Sequence, residues 1–209
     1  MNDIFFLTEH QFQILVWLSY RIAATFAFGL PLFLLVWAKI TNSKSIDRLL
    51  SIYWKVSSIY VINLLFLSGE NQLGQLTSFI APLLMVGSIW FWVDLNEEIN
   101  EMSVYKSIAI TTRIWRWILS FWGILNTGLH LFSWRCLNSI SENYCDAWRE
   151  IPYNSFVTTK IIIKFILGGN WTTAFATFFA YLGLILYLIG LIQWLIIQFP
   201  KNGRFAGKF

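Results

Sequence analysis

From Ala174 to Phe199 the chain carries no charged residue. At about 1.5 Å of rise per residue, a helix of that length outreaches the roughly 30 Å hydrocarbon core of a bilayer. Four more apolar runs follow the same logic, the second of them weaker with Lys55 inside it, so the expected spans lie at about 22–38, 49–67, 76–93, 117–133 and 174–199. They are continuous rather than alternating, which excludes a β-barrel. Composition agrees: 57% of the residues are hydrophobic and only 12% are charged, about half the charge of a soluble domain. A soluble globule of 209 residues cannot hide that much apolar surface. Soluble enzymes, disordered chains and disulfide-dense secreted scaffolds are excluded. The chain reads as one all-α domain over residues 1–209, a polytopic membrane helix bundle of about five transmembrane helices. Its first partner is the lipid bilayer; nothing points to nucleic acid.

Basic residues set the expected orientation. Lys39, Lys44, Arg48 and Lys55 follow the first span, Lys106, Arg113 and Arg116 follow the third, and Lys201, Arg204 and Lys208 close the chain. The opposite side has only Arg135, Arg149, Lys160 and Lys164, all in the long fourth loop, and long loops obey the positive-inside rule weakly. The N-terminus is therefore expected outside and the C-terminus in the cytoplasm. Residues 1–13 contain Asp3 and Glu9 but no Lys or Arg, unlike a cleavable signal. Pro31 and Pro82 fall in or near spans one and three, where mild kinks are expected. Most tryptophans fall near span ends, as interfacial belts require; Trp122 fits neither belt and is expected to face lipid or a partner.

Cys136 and Cys145 both lie in the outer loop, 134–173, within WRCLNSISENYCDAW. A structural disulfide in an oxidising compartment is the expected reading, with two free thiols as the alternative. Two cysteines with no histidine in that loop do not fill a zinc shell. In the same loop, KIIIKFIL (160–167) is too short to span and reads as a surface amphipathic helix ended by Gly168 and Gly169.

Polar residues inside the spans are patterned. Arg113, Arg116, Ser120, Gly123, Thr127 and His130 recur at alternating threes and fours along the fourth span, with Asn126 at the border. They form one stripe, and Ile118, Trp122, Leu125 and Leu129 lie opposite, suited to lipid. Such a face packs against other helices, or lines a polar path or ligand groove. His130 is either a satisfied interfacial histidine, bonded to Asn126 or a neighbouring helix, or an axial ligand for a haem or a chlorophyll. On the fifth span Ala176, Ala180, Gly183, Tyr187, Gly190 and Trp194 form a small-residue face for close helix approach, within the chain by default. Asp94, Glu97, Glu98 and Glu101 stand at i, i+3, i+4 and i+7 at the inner end of span three. They are expected to form an inner charge belt with Arg48, Lys55, Arg113 and Arg116, in which Lys55 pairs with Asp94, Glu97 or Glu98. A solvated acidic face or a divalent-cation site is the alternative.

No G-x-S-x-G, P-loop, H-E-x-x-H or dinucleotide fingerprint is present, and the chain carries only two histidines, so no catalytic or metal site is expected. The strings YRIAATFAFGLPLFLLVWA, RLLSIYWKVSSIY and WFWVDLNEEI, the Cys136–Cys145 stretch with the IPY after it, and the Gly-rich basic tail together resemble the cyanobacterial membrane proteins grouped as domain of unknown function 3177. That resemblance implies a thylakoid or plasma-membrane location in a cyanobacterium and no activity. The expected function is a non-enzymatic accessory or assembly protein packing against a larger membrane complex, photosynthetic by association. The alternatives are a small-solute or ion transporter using the polar face of span four, and a haem- or chlorophyll-binding protein through His130.

Overall fold

The computed structural model describes residues 9–69, 71–103, 105–132, 148, 150, 152–154, 157 and 172–206. Among them the ordered elements are helical. Helix α1 (Glu9–Ile22) runs through a π-helical segment (Ala23–Gly29) into α2 (Leu30–Ile40), making one continuous rod. Helices α3 (Lys44–Ser68), α4 (Gln72–Trp90), α5 (Val93–Glu101) and α6 (Ser107–Phe132) follow. Then come α7 (Thr173–Gln193), a second π-helical segment (Trp194–Gln198) and α8 (Phe199–Asn202). Four stretches are long and apolar enough to cross a membrane: Gln11–Ile40, Lys44–Ser68, Gln72–Trp90 and Thr173–Lys201. The 26-residue α6, expected as a crossing over 117–133, extends a further ten residues N-terminally and holds Arg113 and Arg116. The first helix likewise begins well before residue 22.

Sequence sets the element ends. Helix α2 stops in a Schellman motif: Asn42 takes φ 51°, a left-handed conformation asparagine tolerates, and Ser43 N–H returns to Ala38 O at 2.9 Å. Asn71 caps α4 by accepting the Leu73 amide at 2.9 Å. Thr172 does the same for α7 through Phe175 N–H at 3.2 Å.

Helix α3 is central. It pairs along its length with α4, takes α7 on another side and the α2 rod on a third, while α6 packs on α4 and the first rod. Lipid tails are as apolar as leucine, so close packing and polar contacts rather than water exclusion hold such helices together. Glycines permit the approach: a Cβ at Gly69 would sit 2.0 Å from Thr177 Oγ1, and one at Gly183 would sit 3.2 Å from Ile62. The small-residue face of α7 thus meets α3 of the same chain, with Ala176 and Ala180 fully buried. Between α3 and α4 a buried cluster joins Asn63 to the hydroxyls of Thr77 and Ser78 at 2.9 and 2.8 Å.

The expected kink at Pro31 takes a specific form. Pro31 has no N–H, so Ala27 O loses its i+4 donor. In the π-helical segment Leu30 N–H goes to Thr25 O, five residues back, which leaves Phe26 O without a donor too. Both carbonyls are taken by side chains from other helices: Tyr53 OH donates to Ala27 O at 2.7 Å, and Trp115 Nε1 donates to Phe26 O at 2.8 Å. The two rings meet edge to face, centroids 5.1 Å apart, and both residues are completely buried. Three helices are thereby pinned at one proline.

This generates a cycle of variants. Tyr53→Phe strands a buried carbonyl and is expected to lower stability by about 1–3 kcal/mol. Pro31→Ala returns a backbone donor to the same carbonyl. The loss from Tyr53→Phe, measured by thermal unfolding in detergent, should therefore shrink in the Pro31→Ala background; an undiminished loss would show that Tyr53 acts only through packing.

Candidate functional site

The polar stripe of α6 is the strongest concentration of unusual chemistry among the described residues, and the fold buries it. Arg116, Ser120, Gly123, Asn126, Thr127 and His130 all face inward. The outward face carries Ile114, Trp117, Phe121, Ile124, Leu125 and Leu131. Trp122, expected to face lipid, is 3% exposed. Its Nε1 donates to Ser19 O at 3.1 Å, and its ring meets Tyr60 at 6.0 Å. An indole carries a donor, and in an apolar surround that donor seeks an acceptor; the Ser19 carbonyl supplies it.

At one end of α6 the two arginines cap helix ends. Arg113 Nη2 donates to Ile99 O, Asn100 O and Met102 O at 2.8, 2.9 and 2.9 Å, the open carbonyls at the C-terminus of α5. Arg116 Nη2 donates to Ile89 O at 3.3 Å, near the C-terminus of α4, and to Asn96 Oδ1 at 2.5 Å. Its guanidinium lies 4.0 Å over the Trp90 ring. Helix C-termini carry unsatisfied carbonyls and partial negative charge, so a buried cation here is balanced by dipoles and a π face. Trp90 Nε1 donates to Ser120 Oγ at 2.8 Å, and Ser120 Oγ to Arg116 O at 2.8 Å. The node ties α4, α5 and α6 into one corner.

The acidic residues sit on α5, a separate helix that leaves α4 at Phe91 and Trp92. Leu95 and Ile99 point into the core, while Glu97, Glu98 and Glu101 are exposed. Glu98 accepts from Ser45 Oγ. Asp94 accepts the Ala206 amide with both carboxylate oxygens at 3.0 Å. Arg48 is half-buried and Lys55 exposed on α3. The Ser45–Glu98 and Arg113–Ile99 contacts put α5 and the N-terminal ends of α3 and α6 at one end of the bundle. There Arg113 and Arg116 reach carbonyls and an amide, and Asp94 reaches the C-terminal tail.

Midway along α6 the stripe is closed. A Cβ on Gly123 would lie 2.5 Å from Val86 Cγ2 and 3.5 Å from Pro82 O, so α4 presses directly on it. Beyond, Ser19 Oγ donates to Asn126 Oδ1 at 2.6 Å, which joins α1 to α6. At the far end is His130, expected to bond to Asn126 or a neighbouring helix; Asn126 Oδ1 is taken by Ser19. The His130 ring stacks on Trp148, centroids 3.8 Å apart with an interplanar angle of 26°, and its Nδ1 is buried without a partner. Trp148 is itself buried against Phe12 and Tyr20, and Tyr20 OH donates to its carbonyl at 2.9 Å. Ser19, Asn96 and Trp148 carry this seam yet are invisible to a periodicity reading of α6, since none of the three belongs to it. Cys136, Cys145 and the 160–167 stretch lie outside the described residues. Among the described residues, no three His, Cys, Asp or Glu side chains gather where they would hold a metal ion.

The α4–α6 contact is testable. Gly123→Ala drives a methyl into a β-branched side chain that is stiff at χ1, and should cost about 1–3 kcal/mol in detergent unfolding. Adding Val86→Ala should recover much of that loss; no recovery would place the two helices farther apart.

No curated protein and no solved structure matches the chain. A family model does, over residues 13–207, which takes in every helix described above apart from the first four residues of α1. The chain belongs to the DUF3177 family of proteins of unknown function.

Proposed function

We propose that this chain is a non-enzymatic membrane accessory or assembly protein that packs against a larger membrane complex. One observation carries the reading: from Arg113 to Asn126 the polar seam of α6 is engaged inside the bundle. Its arginines cap helices, Ser120 and Asn126 bond to Trp90 and Ser19, and Gly123 is pressed by α4. A transport path along this face would have to pass the Gly123–Val86 contact. What remains for a partner is the outward surface, where Trp117 and Phe121 are 68% and 67% exposed and Phe178 is 59% exposed. Large aromatics at such positions suit packing against another protein's helices as well as lipid.

In this reading α6 is a fifth crossing. It runs antiparallel to α4, with Arg116 at the α4 C-terminus and Gly123 beside Pro82 and Val86. Its 26 residues reach about 39 Å at 1.5 Å each. The positive-inside rule gives an outer N-terminus and a cytoplasmic C-terminus. The resemblance of the sequence supports a cyanobacterial thylakoid or plasma membrane and makes a photosynthetic complex the candidate partner. A second reading rests on His130, whose buried, unpartnered Nδ1 is an atom that a haem iron or a chlorophyll magnesium takes.

Purification in mild detergent through an N-terminal tag separates these. Large membrane subunits at constant stoichiometry are expected. A pure chain migrating alone under the mildest extraction would sink the accessory reading. A Soret or Qy band from the purified chain that His130→Ala abolishes would put the second reading first. Ion or solute flux into liposomes holding the pure chain would restore the transporter.

A further inference from the structure

We propose that the C-terminal segment Gly203–Ala206 is a releasable strap that fastens the α4–α5 corner. Gly203, at φ +58°, turns the chain back after α8, its N–H returning to Phe199 O at 2.8 Å. Three polar contacts then hold the next residues. Arg204 Nε donates to Phe91 O at 3.0 Å, with the guanidinium 5.6 Å from the Phe91 ring. Val93 N–H donates to Arg204 O at 3.1 Å. The Ala206 amide meets both oxygens of Asp94. The Ala206 methyl is 1% exposed, whereas Phe205 between the two anchors is 58% exposed.

The contacts fall on groups α5 cannot satisfy by itself. Val93 is its first residue, so that N–H has no partner within the helix. Phe91 O lies at the break between α4 and α5. The strap closes the N-terminus of α5 as Arg113 closes its C-terminus, and only one methyl group of the strap enters the core. So small an apolar anchorage, set against the ordering of four residues, makes a contact that opens without unfolding the bundle.

Release is readable by trypsin, because cleavage after Arg204 needs the guanidinium that the closed strap holds against Phe91. The full chain in detergent is treated with trypsin, and the product lacking residues 205–209 is followed by intact mass. When reclosing outpaces cleavage, the rate follows the open population. Asp94→Asn removes the charge from the acceptor. Val93→Pro removes one donor at a first-turn position that accepts proline, and Trp92 ahead of it is already extended, with ψ 110°. Either change is expected to speed cleavage about tenfold, the ratio set by about 1.4 kcal/mol, while the melting temperature of the bundle stays within a few degrees. Acceleration by either variant with the melt retained supports the strap. Unchanged cleavage in both, or acceleration accompanied in both by a collapsed melt, overturns it.

Discussion

A backbone carbonyl in lipid has no water to turn to, and that constraint organises this protein around Pro31. Removing one N–H from the first rod orphans two carbonyls, and an orphan in hydrocarbon costs several kcal/mol. The chain resolves this with a π-helical turn that exposes Phe26 O and Ala27 O to the side, where Trp115 and Tyr53 reach them. The proline thereby becomes the point where α3 and α6 are fixed to the first helix. Pro200 repeats the arrangement two residues past the second π-helical segment, whose closing bond runs from Phe199 N–H to Trp194 O. That second site lies beside Phe91 and Trp92 at the strap corner, so both proline–π pairs sit where helices from distant parts of the sequence converge.

The same constraint explains the arginines. A carboxylate partner for Arg116 would bring a second desolvated charge into the bundle, and the Coulomb gain often fails to repay that. Helix C-termini offer acceptors already present and already polarised. Arg113 and Arg116, one turn apart on α6, each take the end of a different helix, so a single helix face fixes where α4 and α5 each stop. Two acidic residues of α5 make contacts of their own: Glu98 accepts from Ser45 at the start of α3, and Asp94 accepts the tail amide.

How much of this could be read in the sequence follows from what each signal depends on. Apolar run length is a property of single segments, so the long membrane-type helices were legible, as was the inward polar stripe of α6. The small face of α7 was legible as a packing face because small residues have little other use at that spacing. Partners were not legible. Trp122 looks lipid-facing on a wheel of α6, yet its donor is drawn inward by Ser19 on α1, and no periodicity in α6 encodes that. The charges of Asp94 and Arg116 are visible, but charge alone suggests an ion-pair belt. It takes three dimensions to place the Ile89 carbonyl beside Arg116 and the tail amide beside Asp94. Pro31 was legible as a disturbance, while the answering pair, Tyr53 and Trp115, lies dozens of residues away in the chain.

The two ends of the α6 seam are built from different materials, and this bears on what the protein does. The end that holds α5 and the tail is joined by directional bonds to helix termini, which fix angles and resist sliding. The end that holds α1 and Trp148 is joined by ring stacking and by the buried Ser19–Asn126 bond. Between them Gly123 presses on Val86, and there no side chain can adjust without moving a helix. A seam of that kind holds its helices in a single register. The rigidity it gives the outward faces of α6 and α7 is useful to a protein that must present a fixed apolar relief to a neighbour. Cycling between two openings, as a carrier does, would require breaking the arginine caps on α4 and α5 in every turnover. The chemistry of the seam therefore fits the proposed scaffold better than a carrier, and the proposed release of the tail leaves that seam intact.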